Sequence, residues 1–392
     1  MQQRLIQALI LSSAAATLAG CSSGMMNSMT TTTTTTTTTP PSVIGQLATM
    51  TTIGSTVDAG TGAGAGDTNP YGLAIAPITA GLMTAGDLVV CNFNNASGMA
   101  GAGTTIEDLK PMAGSKPVRI AQAADLAGCN SIAINPGAGY IWAAAYTAND
   151  NPIISPAGAE VSNLKSSYMW AQPWGQAYGS PTQAAGSMTT APAAFYISDA
   201  MDGSIVQALV SAKPAVYSKI ITGFPVTVSK TYGVLAPAGL TYDPASDTLY
   251  VVSSDTNSVL AFSSVSTIMA GGITINFTPG SSTGGYYPTT TAAAFSFTGT
   301  NASQAKVVYS GAPLNYPISS ALLYNGDLIV GNTGDNNMVE IQPSSMTVVG
   351  TKSVDSGAAG AIFGIATSGT SVATQKIYFN DDNTATVNSL SQ

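Results

Sequence analysis

The chain has 392 residues, 45% of them apolar and only 8% charged, with a formal net charge of −8 from 11 basic and 19 acidic side chains. An ordinary soluble protein carries roughly 25% charged residues, so Ser, Thr, Asn and Gly must dress this surface, a habit that suits an exported protein, and no Lys or Arg run exists to track phosphates, which excludes nucleic acid as a partner. The absence of histidine removes the commonest general base, the commonest zinc ligand and every Ser-His or Cys-His nucleophile system.

Residues 1–20 carry one positive charge at Arg4, an apolar run from Leu5 to Leu11 that continues through small residues, and then Leu18-Ala19-Gly20-Cys21. This segment resembles a bacterial lipoprotein signal peptide. The resemblance implies cleavage before Cys21, whose thiol takes a diacylglycerol and whose amine is acylated; an ordinary secretory signal with a cysteine near its end is the other reading. The apolar run is too short to cross roughly 30 Å of hydrocarbon. Two or three acyl chains, at about 0.8 kcal/mol per buried methylene, would anchor the protein to a membrane. By resemblance to the sorting rule of diderm bacteria, Ser22 favours the outer membrane, on its periplasmic face or at the cell surface. Residues 21–42 follow as a linker, with ten consecutive threonines from Thr30 to Thr39 and then Pro40-Pro41. Nothing in this linker can bury a face, so a disordered stalk is expected, reaching roughly 60–70 Å when extended.

The body, residues 43–392, reads as one domain of repeats. Six inner strands open on a Pro-x-Gly-like tripeptide, at Pro70-Tyr71-Gly72, Cys129-Asn130-Ser131, Pro173-Trp174-Gly175, Pro237-Ala238-Gly239, Pro317-Ile318-Ser319 and Ile362-Phe363-Gly364. A second strand follows each, at Asp87 to Cys91, Tyr140 to Ala144, Phe195 to Ser198, Leu249 to Val252, Asp327 to Gly331 and Lys376 to Phe379. A third is visible at Ser204 to Leu209, Met338 to Ile341 and Thr384 to Leu390. The copy from Pro237 to Phe262 is the most legible, with polar turns at Asp243 to Asp247 and Asp255 to Ser258 separating apolar runs. The insertion between Ser263 and Tyr309 is expected to decorate the outer edge of the fourth blade. After Thr384 only a third strand remains, and Val43 to Ile53 is assigned the missing fourth, closing a ring between the termini. The expected fold class is therefore all-β: a six-bladed β-propeller of four-stranded antiparallel blades. A single sheet cannot bury both faces, whereas six in a ring share a core and leave short, protected edges.

The segments NPYGLAIAP and PAGLTYDP, with second strands TLYVVSSDTNSV and DLIVGNTGDNNMV, resemble NHL-type repeats over nearly all of residues 60–392. The Arg common on the third strand of that family is absent. NHL-like propellers include protein-binding and RNA-binding modules, lyases and, more distantly, gluconolactonase-like metal hydrolases, so the resemblance does not choose a function.

Second-strand ends should form a ring at one mouth of the channel: Asn92, Ala145, Asp199, Ser253, Asn332 and Asn380, of which only Asp199 is a carboxylate. A gluconolactonase-like site would hold calcium through Asp199, Asn92, Asn332 and Asn380, joined by Asp381, since calcium takes several oxygen ligands. The other reading makes these residues turn caps, and no cofactor is then required. At the start of the inner strands, Tyr71, Trp174 and Phe363 offer aromatic faces flanked by amides, with Trp170 and Tyr178 close by in sequence. A sugar or small amphipathic ligand stacks on such faces, while wedging between blades as core is the competing use. Cys91 and Cys129 fall at the same mouth in adjacent blades, and in an oxidising envelope they either pair or stay as buried thiols.

Other chemistry is poorly supported. The glycine-rich TGAGAG from Thr61 to Gly66 precedes a strand, not a helix, and so reads as a loop. Glu107 and Asp108 are adjacent, and Glu160 and Glu340 occur singly, so no paired-carboxylate dyad is visible. The functional reading is a monomeric envelope lipoprotein whose propeller is a non-catalytic binding or scaffold module for a protein or glycan. A metal-dependent hydrolase and a purely structural envelope protein are the alternatives.

Overall fold

The computed structural model describes residues 41–164, 168–182, 192–209, 215–230, 233–279, 287 and 290–392. The signal peptide, Cys21 and all but the last two residues of the stalk lie outside them. Among the described residues no helix is long and apolar enough to cross a membrane.

Each inner-strand opening meets the same steric demand. Its third residue lies where the inner strand of the next blade passes backbone against backbone. A Cβ on Gly239 would sit 2.6 Å from Ser319 Cα, and one on Gly364 would sit 2.6 Å from the Tyr71 carbonyl oxygen. Only glycine or a small residue fits so close an approach. The six openings begin or lie within the inner strands Thr68–Ile75, Cys129–Ile134, Pro173–Gly179, Pro237–Asp243, Pro317–Leu322 and Ile362–Ser368. In every blade the ladder slips between the opening residue and the next paired one, as between Pro237↔Ser253 and Leu240↔Val251. This bulge frees the second residue of the opening from the ladder.

The second strands, Leu88–Asn94, Ile141–Ala145, Ala194–Asp199, Thr248–Ser253, Leu328–Asn332 and Lys376–Asp381, are buried along almost their whole length. They lie between neighbours within a blade and are packed on both faces by adjacent blades, which explains their continuous apolar runs. Tyr250, Val252 and Val259 of the fourth blade, for example, share one core cluster with Leu328, Val330 and Val339 of the fifth.

The third and fourth strands complete six antiparallel blades. The insertion departs from expectation. Its last strand, Ala305–Ser310, does close the fourth blade by pairing with Ser258–Phe262. Before that, Ile273–Phe277 runs parallel to Val216–Thr222 of the third blade and pairs with Phe295–Thr298, widening the third blade to six strands. The cause is apolar burial across the seam: Ile273, Ile275 and Phe295 pack with Ile220 and Ile221 of the third blade and with Phe262 and Val265 of the fourth.

The ring closes between the termini. Thr49–Ser55 pairs with Thr386–Ser391 as the outer strand of the sixth blade. Val43–Gln46, expected to be part of that strand, is instead a helical turn capped by Ser42. Fully buried Glu340 of the fifth blade fixes the turn, accepting from Ser42 Oγ at 2.6 Å, the Val43 N–H at 3.0 Å and the Ile44 N–H at 2.9 Å. Lys352 Nζ donates to the Leu47 carbonyl at 2.6 Å.

Cys91 and Cys129 form a disulfide, with Cα atoms 5.9 Å apart. It joins the second strand of the first blade to the inner strand of the second. In the chain-entropy account a link spanning 38 residues contributes about 4 kcal/mol.

Candidate functional site

The channel and its mouth differ sharply in size. The channel is lined by the small third residues Gly72, Ser131, Gly175, Gly239, Ser319 and Gly364 and by the side chains that follow them, and it encloses only about 70 Å3. That space admits only a handful of waters, each needing about 10–15 Å3 of it. At the end where inner strands begin and second strands finish, the channel opens into a basin of about 590 Å3.

Tyr71, Trp174, Ile318 and Phe363, each released from its ladder by the bulge at an inner-strand opening, line this basin. The Tyr71 ring lies between Phe93, 4.3 Å away at 3°, and Phe363, 3.6 Å away at 10°, so three rings from two blades stack face to face. Tyr146 meets Trp174 edge-on, 5.4 Å away at 86°. All but Phe93 remain half-buried, so part of each ring is open to a ligand. The aromatic residues singled out at the openings are therefore gathered in one place, whereas Trp170 packs elsewhere, with Tyr168 and Tyr217.

The ring expected from the second-strand ends lies elsewhere. Asn92 donates to the Thr56 carbonyl at 3.0 Å and to Thr105 Oγ1 at 3.2 Å. Asp199 accepts the Ala171 N–H at 2.7 Å, and Ser253 accepts from Thr256 at 2.9 Å. Asn332 donates to the Pro313 carbonyl at 2.9 Å, and Asn380 to the Gly72 carbonyl at 3.1 Å. All five are buried, and none lines the basin or the channel. Each fastens a different segment to its strand, which satisfies backbone groups that would otherwise be buried unpaired. In the sixth blade the residue facing the opening is Asp381, paired with Ile362, and not Asn380.

In five of the six blades the basin is reached by the residue after the one paired with the opening. Phe93, Tyr146, Ser254, Thr333 and Asp382 all line it. Phe93 lies within its strand and the other four open the turn that follows theirs, and in each a shift of one residue along the chain exchanges a buried side chain for a lining one. That alternation was the available signal for Phe93, Tyr146 and Asp382.

Calcium, which the gluconolactonase resemblance implies, does not fit these residues. Asn92 Oδ1, Asp199 Oδ2, Asn332 Oδ1 and Asn380 Oδ1 are buried without a protein partner, yet they belong to four blades and share neither the basin nor the channel. Only Asp199 among them is a carboxylate, and burial first of all pushes it up to about 6. Among the described residues, no group of three or more His, Cys, Asp or Glu is placed to share a metal ion.

Asp382 is the only charged side chain among the described residues that line the basin. Its Oδ2 accepts the Asn69 amide at 2.9 Å, while its Oδ1 has no partner. Burial, and then the charge of neighbouring Asp381, push its carboxyl up to about 7. The Tyr71 phenol is also pushed up, by burial and then by Asp382, and stays neutral. Three of the remaining polar side chains of the basin are already engaged. Ser254 exchanges hydrogen bonds with both backbone groups of Ala236, Thr333 donates to the Tyr316 carbonyl, and Asn383 donates to Asp355 and to the Ala358 carbonyl. Such a site can hold a ligand, and among its described residues the Ser254 and Thr333 hydroxyls bond to backbone groups and not to a carboxylate.

No protein-family model matches the chain, and no curated protein matches it by sequence. Solved structures resemble it in fold. A gluconolactonase from Xanthomonas campestris superimposes with a TM-score of 0.54 at 10% identity, over 87% of this chain and 89% of that one. A putative gluconolactonase gives 0.53 at 9% identity, over 90% and 96% of the two chains. A Bacteroides thetaiotaomicron protein of unknown function gives 0.51 at 9% identity, over 87% and 75%. At such identities the likeness is one of fold alone, and the activity has to be argued from the site.

Proposed function

We propose that this protein is an NHL-like propeller serving as a non-catalytic binding module of the bacterial envelope, holding a protein or glycan at its channel mouth. The observation that carries this reading is the aromatic basin of Tyr71, Phe93, Tyr146, Trp174 and Phe363, about 590 Å3, above a channel that encloses only about 70 Å3. Of these, Tyr71, Tyr146, Trp174 and Phe363 are partly exposed, and rings so placed in a concave site offer large contact area at little entropic cost. The metal-hydrolase reading is not favoured, because its four candidate ligands lie off the basin.

Replacement of Trp174 by Ala tests the site. Captured envelope components and glycan-array signals should fall at least about tenfold, the loss typical of one interfacial aromatic anchor, while the thermal midpoint stays within about 5 °C of the parent. Retained binding, or a collapse of stability that marks Trp174 as core, would count against the mouth as the binding surface.

The proposal extends to location. Cleavage before Cys21 and acylation there would tether the propeller to a membrane, with the outer membrane favoured by Ser22. An alkyne-fatty-acid label should enter the full chain made in a bacterial host and be absent from Cys21→Ser. Equal labelling of both proteins would refute the anchor.

A further inference from the structure

Resting on the mouth as the binding surface, we propose that its ligand is a lysine side chain on a protein partner, with the ammonium set against Asp382 and the methylenes laid along Trp174, Ile318 and Leu235. Four observations converge on this. First, the basin holds one carboxylate and, among its described residues, no cation to neutralise it; Oδ1 of that carboxylate is unpaired. That oxygen is buried, so the carboxylate turns toward the basin to take an incoming ammonium as its missing partner. Second, the walls are aromatic and aliphatic, the surroundings along which lysine stems bury their methylenes and by which ammonium groups are attracted to ring faces.

Third, Ser254, Thr333 and Asn383 already donate to protein groups. A sugar, with a hydroxyl on nearly every carbon, has many polar groups to satisfy here, whereas a lysine has only the three N–H groups of its ammonium. This favours a protein over a glycan. Fourth, the chain as a whole carries a net charge of −8, which steers a basic partner toward it at low salt.

The groups packed against Asp382 fix the sign of the pH dependence. Asp381 precedes it in the chain, Asn69 donates to it, and neutral Tyr71 lies beside it from the first blade. Since burial and Asp381 hold the Asp382 carboxyl at about 7, it is more fully ionised above neutrality than below. Lysine is protonated throughout, so affinity should rise from about pH 6 to about pH 8.

The test uses the full chain with tetralysine and with its fully Nε-acetylated form, titrated calorimetrically at about 50 mM salt, where surface charges are incompletely screened. Tetralysine should bind at least about tenfold more tightly than the acetylated peptide, and Asp382→Asn should lose at least about tenfold for tetralysine only, the size of a partly desolvated charge pair. Asp243→Asn, at the far end of an inner strand, should change neither affinity. Equal binding of the two peptides, binding of neither, or tetralysine affinity unmoved by Asp382→Asn would overturn the proposal. If the acetylated peptide still binds and loses affinity in Trp174→Ala, the mouth stands as a binding surface without its lysine specificity. If neither Asp382→Asn nor Trp174→Ala alters any binding that is seen, the ligand lies elsewhere and the mouth reading fails too.

Discussion

Deletion of residues 43–57 should lower the thermal midpoint by about 10–20 °C or abolish cooperative folding, as judged by calorimetry on the full and shortened chains. Val43, Ile44, Leu47 and Ile53 are each at most 3% exposed. Burying one such side chain is worth about 1.5–3 kcal/mol, and four therefore about 6–12 kcal/mol, against the roughly 5–15 kcal/mol that holds a whole domain. The deletion also bares the edge of Thr386–Ser391 and removes two of the three groups that donate to fully buried Glu340. A buried carboxylate robbed of its donors is a further penalty. A midpoint within about 3 °C of the parent would show that the ring does not depend on this closure.

Stability should be greater in mild acid than at neutral pH. Burial pushes Glu107 up to about 7 despite the opposing charge of Arg119, pushes Asp382 to about 7 with help from Asp381, and pushes Asp199 and Asp255 to about 6. Unfolded Asp and Glu titrate near 3.9 and 4.3, respectively. Between those values and the raised ones the folded state binds more protons than the unfolded state, so stability falls as pH rises across roughly 4 to 7 and levels off above about 8. Glu107, with its side chain fully buried, contributes on the order of 3 kcal/mol to this change. No histidine is present to oppose the trend. Urea unfolding at about pH 5 and about pH 8 reads it directly, and a profile that is flat or climbs toward pH 8 would contradict it.

The fold was legible where sterics or burial act within a few residues. Gly175, Gly239 and Gly364 mark the inner strands because a neighbouring backbone passes at each, and runs such as Leu249 to Val252 mark second strands because both faces are covered. The site was less legible, for two reasons. Asn92, Asp199 and Asn332 are polar residues at strand ends, as ligands would be, but they point into the protein, and the lining falls to Phe93 and Tyr146, which look like ordinary core aromatics. In the sixth blade three consecutive polar residues, Asn380, Asp381 and Asp382, left the register undecided until pairing with Ile362 fixed it. The course of Ile273–Phe277 was not readable either, because its partner, Val216–Thr222, lies some fifty residues earlier and is chosen by tertiary contacts.

The clasp of Glu340 on Ser42, Val43 and Ile44 has a mechanical consequence. Thr386 follows the basin-lining turn at Asp382, whereas its partner strand begins at Thr49, opposite Ser391 at the far end. Tension arriving through the chain before Ser42, with a partner gripping the mouth, would pull along Thr49–Ser55 instead of peeling it sideways. The ladder to Thr386–Ser391 would then bear the load in shear, its hydrogen bonds sharing the force, after the carboxylate of Glu340 had taken the first tug.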